Sequence, residues 1–113
     1  MRLFNRPNRV DASRAAELLE RGQAVVLDVR ENIEWKTGRI PGALHVPLAR
    51  VLARRYELPR DMTILTVCRS GHRSGLAARG VRHAGYRVEN LAGGMKAWAR
   101  AGLPLDPPGG RVL

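Results

Sequence analysis

The residues best suited to chemistry form one short run, residues 68–74, which holds the chain's single cysteine. Cys68 follows an apolar, strand-like stretch and precedes the predicted start of a helix. A thiol reacts as its thiolate, and both free N–H groups at a helix N-terminus and nearby cations lower the pKa of a thiol. A serine and a glycine allow a tight loop with inward amides, while Arg69 and Arg73 add permanent positive charge. The run predicts a nucleophilic cysteine in an anion-binding loop.

The size and composition of the chain are typical of one globular domain. It has 113 residues, of which 44% are hydrophobic and 27% charged, and these are ordinary values for a folded domain. We expect a single domain over residues 1–105 and a mobile tail over 106–113, which is rich in proline and glycine. No apolar run approaches the roughly 20 residues that cross a bilayer, and residues 1–7 lack the apolar stretch of a secretory signal. A cytoplasmic protein without membrane contact is therefore expected.

The single cysteine and three histidines argue against several chemistries. One thiol cannot form an internal disulfide, and no second thiol is present to resolve an oxidised Cys68. Three scattered histidines with one cysteine do not make a zinc site. We therefore expect neither a metal nor any other cofactor.

The net charge of +10 comes almost entirely from arginine, since only Lys36 and Lys96 are lysines. Such a balance can indicate nucleic-acid binding. Here the arginines are spread along the chain, Arg54–Arg55 is the only adjacent pair, and no aromatic residues are interleaved among them. A nucleic-acid stripe therefore has little support. We expect a solvated basic surface that attracts small anions, and no nucleic-acid partner.

The elements that must position Cys68 alternate between strands and helices. Continuous apolar runs at 24–29 and 62–67 predict strands buried on both faces, and shorter strands are predicted at 44–46 and 87–91. Helices are expected between them, the first capped by an aspartate at position 11 and stopped by a glycine at position 22. The later predicted helices span 31–36, 74–84 and 95–101.

An amphipathic stretch is also predicted between the strands at 44–46 and 62–67. Leu48, Val51 and Leu52 have the spacing that places them together on one face of a helix. This face is expected to pack against the core.

This alternation predicts an α/β fold with a mostly parallel sheet covered on both faces. In such sheets, ligands bind beyond the carboxyl ends of the strands, which is where Cys68 lies. The turns after the first and last predicted strands should meet the same edge, so Arg30 and Gly93–Gly94 are candidates for the walls of the site. Asp28 is expected to be structural, because a carboxylate beside an arginine at a strand end commonly ties loops together.

Several separated motifs stand in a fixed order along the chain: Leu27-Asp28-Val29-Arg30, Gly38-Arg39-Ile40-Pro41-Gly42-Ala43, Cys68-Arg69-Ser70-Gly71-His72-Arg73-Ser74, Gly85-Tyr86, Asn90-Leu91-Ala92-Gly93-Gly94 and Trp98. In this order they resemble the single-domain rhodaneses, a sulfurtransferase family. The resemblance covers Val10 to Pro104 and implies a five-stranded parallel sheet flanked by helices on both faces. Arg39 departs from the family pattern, which commonly has histidine there, and this leaves the substrate preference open.

The resemblance implies a two-step sulfur transfer through a persulfide on Cys68. The thiolate would attack the outer sulfur of thiosulfate and expel sulfite, and cyanide or a thiol would then accept the sulfur. Arg30 is a candidate for the pocket rim. The expected partners are a small anionic sulfur donor and either a thiol acceptor or a sulfur-relay protein. The substrate-binding loop would comprise Arg69, Ser70, Gly71, His72, Arg73 and Ser74.

Two alternatives remain open beside this reaction. A cysteine-dependent phosphatase or arsenate reductase also uses an anion-binding loop, but it places arginine after five intervening residues, a position that falls on Ser74 and not on Arg73. A persulfide carrier module would keep the chemistry of Cys68 and hand its sulfur to a protein partner. His72 is expected to be an exposed loop residue and not a proton donor.

Overall fold

A parallel five-stranded sheet forms the centre of the protein in a computed structural model that describes residues 8–113. Residues 1–7, where no secretory signal is expected, lie outside the described residues. The strands are β1 (Arg9–Val10), β2 (Ala24–Asp28), β3 (Leu44–His45), β4 (Thr63–Val67) and β5 (Val88–Leu91), in the sheet order β1-β5-β4-β2-β3. Every pairing between them is parallel. The predicted α/β fold class is confirmed.

The central strands β2 and β4 place the candidate nucleophile at the carboxyl edge of the sheet. Both are buried nearly throughout, as their continuous apolar composition predicts. Their register pairs Asp28 with Val67, the last residue of each strand. The next amide, that of Val29, still donates to the carbonyl of Val67 at 3.0 Å. The segments that follow β2 and β4 therefore leave the sheet next to each other, near Arg30 and Cys68.

Helices cover both faces of this sheet. The helices α1 (Ala12–Glu20) and α4 (Gly94–Arg100) pack on one face, and α3 (His72–His83) packs on the other. The short helix α2 (Asn32–Thr37) follows β2. Among residues 8–113, no helix is both long enough and apolar enough to cross a membrane.

Local chemistry explains where two of these helices begin. Asp11 caps α1, since its carboxylate accepts a hydrogen bond from the amide of Arg14 at 2.8 Å, as predicted. The helix α3 begins at His72, two residues earlier than expected, because Gly71 takes a left-handed conformation with φ of 107° directly before it. This start shortens the loop that follows Cys68.

The predicted amphipathic stretch after β3 is not one helix. It consists of two short 3-10 turns, Leu48–Arg50 and Arg55–Glu57. Because the α-helical period is lost there, the residues expected on one face separate, and Val51 is buried while Leu52 is 53% exposed. Leu52 still touches α3, since a Cβ atom at Gly80 would come within 2.8 Å of its side chain.

A fully buried ion pair ties the sheet edge to α2. Arg30 and Asp28 have no exposed side-chain surface, and an Nη2–Oδ2 bond of 2.8 Å joins them. The same guanidinium donates to the carbonyls of Gly38 at 2.8 Å and Glu34 at 3.3 Å. Asp28 is structural, as expected. The placement of Arg30 at a pocket rim is wrong, because a side chain without exposed surface cannot form a rim.

Residues 106–113 lie against the turn that follows α2. Asp106 forms an antiparallel bridge with Arg39, with amide-to-carbonyl distances of 2.8 and 3.1 Å in the two directions. The amide of Arg111 also donates to the carbonyl of Thr37 at 2.9 Å. The mobility predicted for this segment stays a prediction.

Replacing Arg30 with methionine should strongly destabilise the fold. The substitution Arg30→Met would leave the carboxylate of Asp28 buried without its cation, and breaking a buried pair in this way costs about 3–5 kcal/mol. Urea denaturation followed by circular dichroism measures the loss in free energy of unfolding. Arg54→Met is the matched control, since Arg54 pairs with Glu57 at the exposed surface and its loss should change little. Equal denaturation midpoints for the two variants would contradict the structural role of Arg30.

Candidate active site

The backbone that follows Cys68 is held by the first turn of α4. The amide of Met95 donates to the carbonyl of Cys68 at 2.8 Å, and the amide of Lys96 donates to the carbonyl of Arg69 at 3.1 Å. A trans peptide directs its C=O and N–H groups in opposite directions. Because the carbonyl of Arg69 faces α4, the amide of Ser70 faces away from that helix, on the side of the sulfur.

The sulfur of Cys68 lies in a cup of hydrogen-bond donors. The amide of Gly71 donates to Sγ at 3.1 Å and the hydroxyl of Ser74 donates at 3.3 Å. The residue is only 1% exposed. Burial raises the pKa of the Cys68 thiol. Hydrogen bonds from the hydroxyl of Ser74 and from the amides of Ser74, Gly71 and Ser70 lower this pKa by a larger amount, so the pKa lies below the ordinary value of a thiol. The arrangement stabilises a thiolate.

A polar network behind the loop fixes the peptide of Gly71. The side-chain amide of Asn90 donates to the carbonyl of Gly71 at 3.0 Å, and the hydroxyl of Thr66 donates to the Asn90 oxygen at 3.1 Å. Both side chains are buried on neighbouring strands. This role of Asn90 is not predictable from local sequence, where its only signal is its place in the motif that ends at Gly94.

Arg73 is bound to α2 and is not a free cation in the loop. Its two terminal nitrogens donate to the carboxylate of Glu34 at 2.7 and 2.8 Å. This bidentate bond lowers the pKa of Glu34 to about 2, although burial opposes the shift. The charge of Arg73 also attracts the thiolate of Cys68. Sequence reasoning missed Glu34, because nothing along the chain links it to a residue 39 positions away.

The other loop side chains point outward. Arg69, Ser70 and His72 are exposed, and the Nε of Arg69 donates to the carbonyl of Leu113. His72 is exposed, as expected, but it is the first residue of α3 and not a loop residue. No side chain of these three donates a hydrogen bond to the sulfur in the part of the chain that the structure describes.

Of two further residues singled out in the sequence, Gly94 lies at the loop and Arg39 does not. Gly94 contacts the loop directly, since a Cβ atom there would lie 2.6 Å from the carbonyl oxygen of Arg69. Arg39 is turned elsewhere, with its guanidinium 4.8 Å above the ring of Trp35 and donating to the Trp35 carbonyl at 3.2 Å. Gly94 is therefore part of the loop's support, and Arg39 is occupied by packing.

Within residues 8–113, no group of three or more histidine, cysteine, aspartate or glutamate side chains could hold a metal ion. The chemistry that the site can perform is that of a polarised sulfur. It offers one nucleophile, a ring of amide and hydroxyl donors, and positive charge nearby. Such donors stabilise a negative sulfur before and after it attacks a substrate.

Known proteins are similar to this chain in sequence and in fold. Residues 11–101 match the Rhodanese-like domain family. A protein named sulfurtransferase from Allochromatium vinosum is 40% identical over 105 residues, which are 91% of this chain and 98% of that protein. A putative sulfur carrier protein from Bacillus subtilis is 42% identical over 74 residues, which are 65% of this chain and 40% of that protein.

Solved structures extend the comparison to the whole fold. A rhodanese-related protein from Thermoplasma volcanium matches with a TM-score of 0.81 at 26% identity, covering 87% of this chain and 96% of that chain. A thiosulfate sulfurtransferase from Pseudomonas aeruginosa matches with a TM-score of 0.81 at 27% identity, covering 89% of this chain and 19% of that chain. The resemblance inferred from the separated motifs is confirmed.

Adding a methyl group at Gly94 should displace the loop. Gly94 has φ of 60°, and its Cβ would collide with the carbonyls that α4 holds, whereas Gly42 has φ of 79° with open space around it. Gly42→Ala should therefore cost only the left-handed strain of about 1 kcal/mol. Gly94→Ala should lose more stability and also slow alkylation of Cys68 by iodoacetamide. Equal alkylation rates in the two variants would show that the loop does not depend on this contact.

Removing the Ser74 hydroxyl should raise the pH at which Cys68 becomes reactive. Since this hydroxyl lowers the pKa of the thiol, Ser74→Ala should shift the pH profile of iodoacetamide alkylation to higher pH and reduce the rate near neutrality several-fold. Ser70→Ala is the control, because its exposed hydroxyl makes no bond to the sulfur while its amide is kept. Identical profiles for Ser74→Ala and the unmodified chain would refute the assigned donor.

Proposed function

The chain belongs to the rhodanese-like family of sulfurtransferases, and from this premise we propose that it moves a sulfane sulfur through a persulfide on Cys68. The single observation that carries the proposal is the hydrogen bonding of Sγ by the amide of Gly71 and the hydroxyl of Ser74. These donors serve the thiolate first and the persulfide anion afterwards. Thiosulfate, or a donor like it, is the proposed source of sulfur.

In the first step, the thiolate of Cys68 attacks the outer sulfur of thiosulfate. A new S–S bond forms on the enzyme as the S–S bond of thiosulfate breaks, and the electron pair of that bond leaves with sulfite. The total charge is the same on both sides, since a thiolate and a dianion yield a persulfide anion and a dianion. No proton needs to move, which agrees with the absence of an acid or base side chain bonded to Sγ among the described residues.

In the second step, an acceptor attacks the outer sulfur of the persulfide. Cyanide would give thiocyanate, and a thiolate would give a persulfide on the acceptor. In both reactions the electron pair of the enzyme's S–S bond returns to Cys68, so the original thiolate is restored. The donors that lowered its pKa also make it a good leaving group.

A carrier that receives its sulfur from a protein is the second candidate. It is supported by the similarity to the putative sulfur carrier protein from Bacillus subtilis. The burial of Cys68 favours the small donor instead, because a cysteine residue that is 1% exposed admits a slender anion more easily than a protein thiol. The persulfide chemistry is the same in the two cases, and only the donor differs.

A phosphatase or arsenate reductase fits the loop less well. The position where those enzymes need an arginine is Ser74, which is buried and donates to Sγ. The neighbouring Arg73 is engaged by both oxygens of Glu34. Neither side chain offers the free guanidinium that a phosphoryl group requires.

Intact-mass spectrometry tests the proposal directly. Thiosulfate should add the mass of one sulfur atom to the chain, and cyanide or a reducing thiol should remove it. Cys68→Ser should fold normally, because serine is nearly isosteric with cysteine, yet gain no mass and lose thiocyanate formation entirely. Parallel arms use a persulfidated desulfurase as donor and a generic phosphoester with malachite green detection.

Each outcome of that experiment has a distinct meaning. Mass gained only from the desulfurase would replace the thiosulfate enzyme with the carrier. Phosphate release without any gain of mass would overturn the sulfur-transfer assignment. Thiocyanate formation by Cys68→Ser would place the nucleophile on another residue.

A further inference from the structure

A groove with a volume of about 520 Å³ runs along α3, beside the candidate active site. One of its walls is a single face of α3, and its other residues come from the beginning of the described chain and from β5. It reaches the loop after Cys68 at one end. Its lining residues include Arg9, Gly71, Leu76, Arg79, Arg82 and Asn90.

The groove is positively charged. Arg9, Arg79 and Arg82 line it, and among residues 8–113 no acidic side chain does so. The Nε atom of Arg82 is buried without a hydrogen-bond partner, although its Nη2 atom donates to the carbonyl of Val88 at 3.1 Å. Glu89 lies near Arg82 and attracts it but does not line the groove. The groove thus holds cationic donors without carboxylates of its own.

The groove ends at the loop but not at the sulfur. Ser70 and Gly71 line it, and the amide of Gly71 donates to Sγ of Cys68 at 3.1 Å. Asn90 lines it as well and holds the carbonyl of Gly71 at 3.0 Å. Cys68 itself is not among the lining residues. A ligand in the groove would therefore sit next to the reacting atom without blocking it.

We propose that this groove binds an acidic peptide segment of a protein that exchanges sulfur with Cys68. The inference rests on the proposed sulfur transfer and adds the chemical class of the partner. Its first support is charge complementarity, since three arginines and no acidic residue line the groove in the part of the chain that the structure describes. Its second is Leu76, which lines the groove at 49% exposure and offers one apolar contact.

The shape of the groove also suits a peptide. From His72 to Arg82, α3 spans about 15 Å at about 1.5 Å per residue. An extended peptide rises about 3.3 Å per residue, so four or five residues match this length. Within residues 8–113 no aromatic side chain lines the groove, and these residues therefore lack the stacking that favours single-stranded nucleic acid.

Peptide binding tests the groove itself. The probe is a fluorescein-labelled peptide of glutamates with one leucine, titrated with the full chain and followed by anisotropy. Arg79→Glu should weaken binding about tenfold, because an attractive charge becomes a repulsive one. Arg100→Glu is the matched control, with the same change in net charge on α4, which packs on the opposite face of the sheet, and it should stay within about twofold of the unmodified chain.

Sulfur transfer to a peptide thiol tests the link to Cys68. Two acceptor peptides of equal length carry a terminal cysteine, one with glutamates and one with glutamines in their place. The persulfidated chain should use the acidic acceptor with about tenfold lower KM, and Arg79→Glu should remove that preference. Arg100→Glu should retain it, and all variants should gain equal mass from thiosulfate.

Several results would overturn the inference. Equal peptide affinity for Arg79→Glu and Arg100→Glu would do so, as would equal KM for the two acceptors. Tighter, Arg79-dependent binding of a single-stranded RNA of the same charge would replace the peptide with nucleic acid. Failure of thiosulfate and of a desulfurase to add mass would instead overturn the proposed function, and this is read from a separate measurement.

Discussion

The structure depends on how the peptide groups after Cys68 are oriented. The first amides of α4 bind the carbonyls of Cys68 and Arg69, and the second of these bonds turns the N–H group of Ser70 away from α4, on the side of the sulfur. Gly94 permits this contact, because any Cβ atom there would overlap the same carbonyls. The reactivity of one side chain is thus set by the packing of a helix that contributes no side chain to the bonds at the sulfur.

Burial and hydrogen bonding act in opposite directions on that sulfur. Burial raises the pKa of the Cys68 thiol, and the donors of Ser74, Gly71 and Ser70 lower it. A buried thiol without them would be inert. The donors must therefore be held in place, and the Asn90 side chain, which donates to the carbonyl of Gly71, provides such support. A buried polar side chain thus orients the backbone of the loop.

Patterns along the chain predicted the parts of this design that are local. Continuous apolar runs showed β2 and β4, and the position of Cys68 after β4 followed from them. The pairing of Arg73 with Glu34 could not be predicted, because it depends on where α2 folds back. The burial of Arg30 could not be predicted from the sequence for the same reason, since the carbonyl of Gly38 that it binds belongs to the turn after α2. The local pattern of apolar residues thus predicts a strand or helix, whereas the role of a charged side chain depends on partners that only the folded chain brings near it.

The arginines show most clearly what sequence spacing hides. Along the chain they are scattered, and they indicated only a solvated basic surface. In the fold, β1 lies beside β5, and this brings Arg9 to the same groove as Arg79 and Arg82, about seventy positions later. Gly71 lines this groove and also donates its amide to the sulfur, so a segment of a macromolecular acceptor bound there would lie beside the loop that holds Cys68. A buried nucleophile can then serve a large partner, since only the outer sulfur of its persulfide has to reach the partner's thiol.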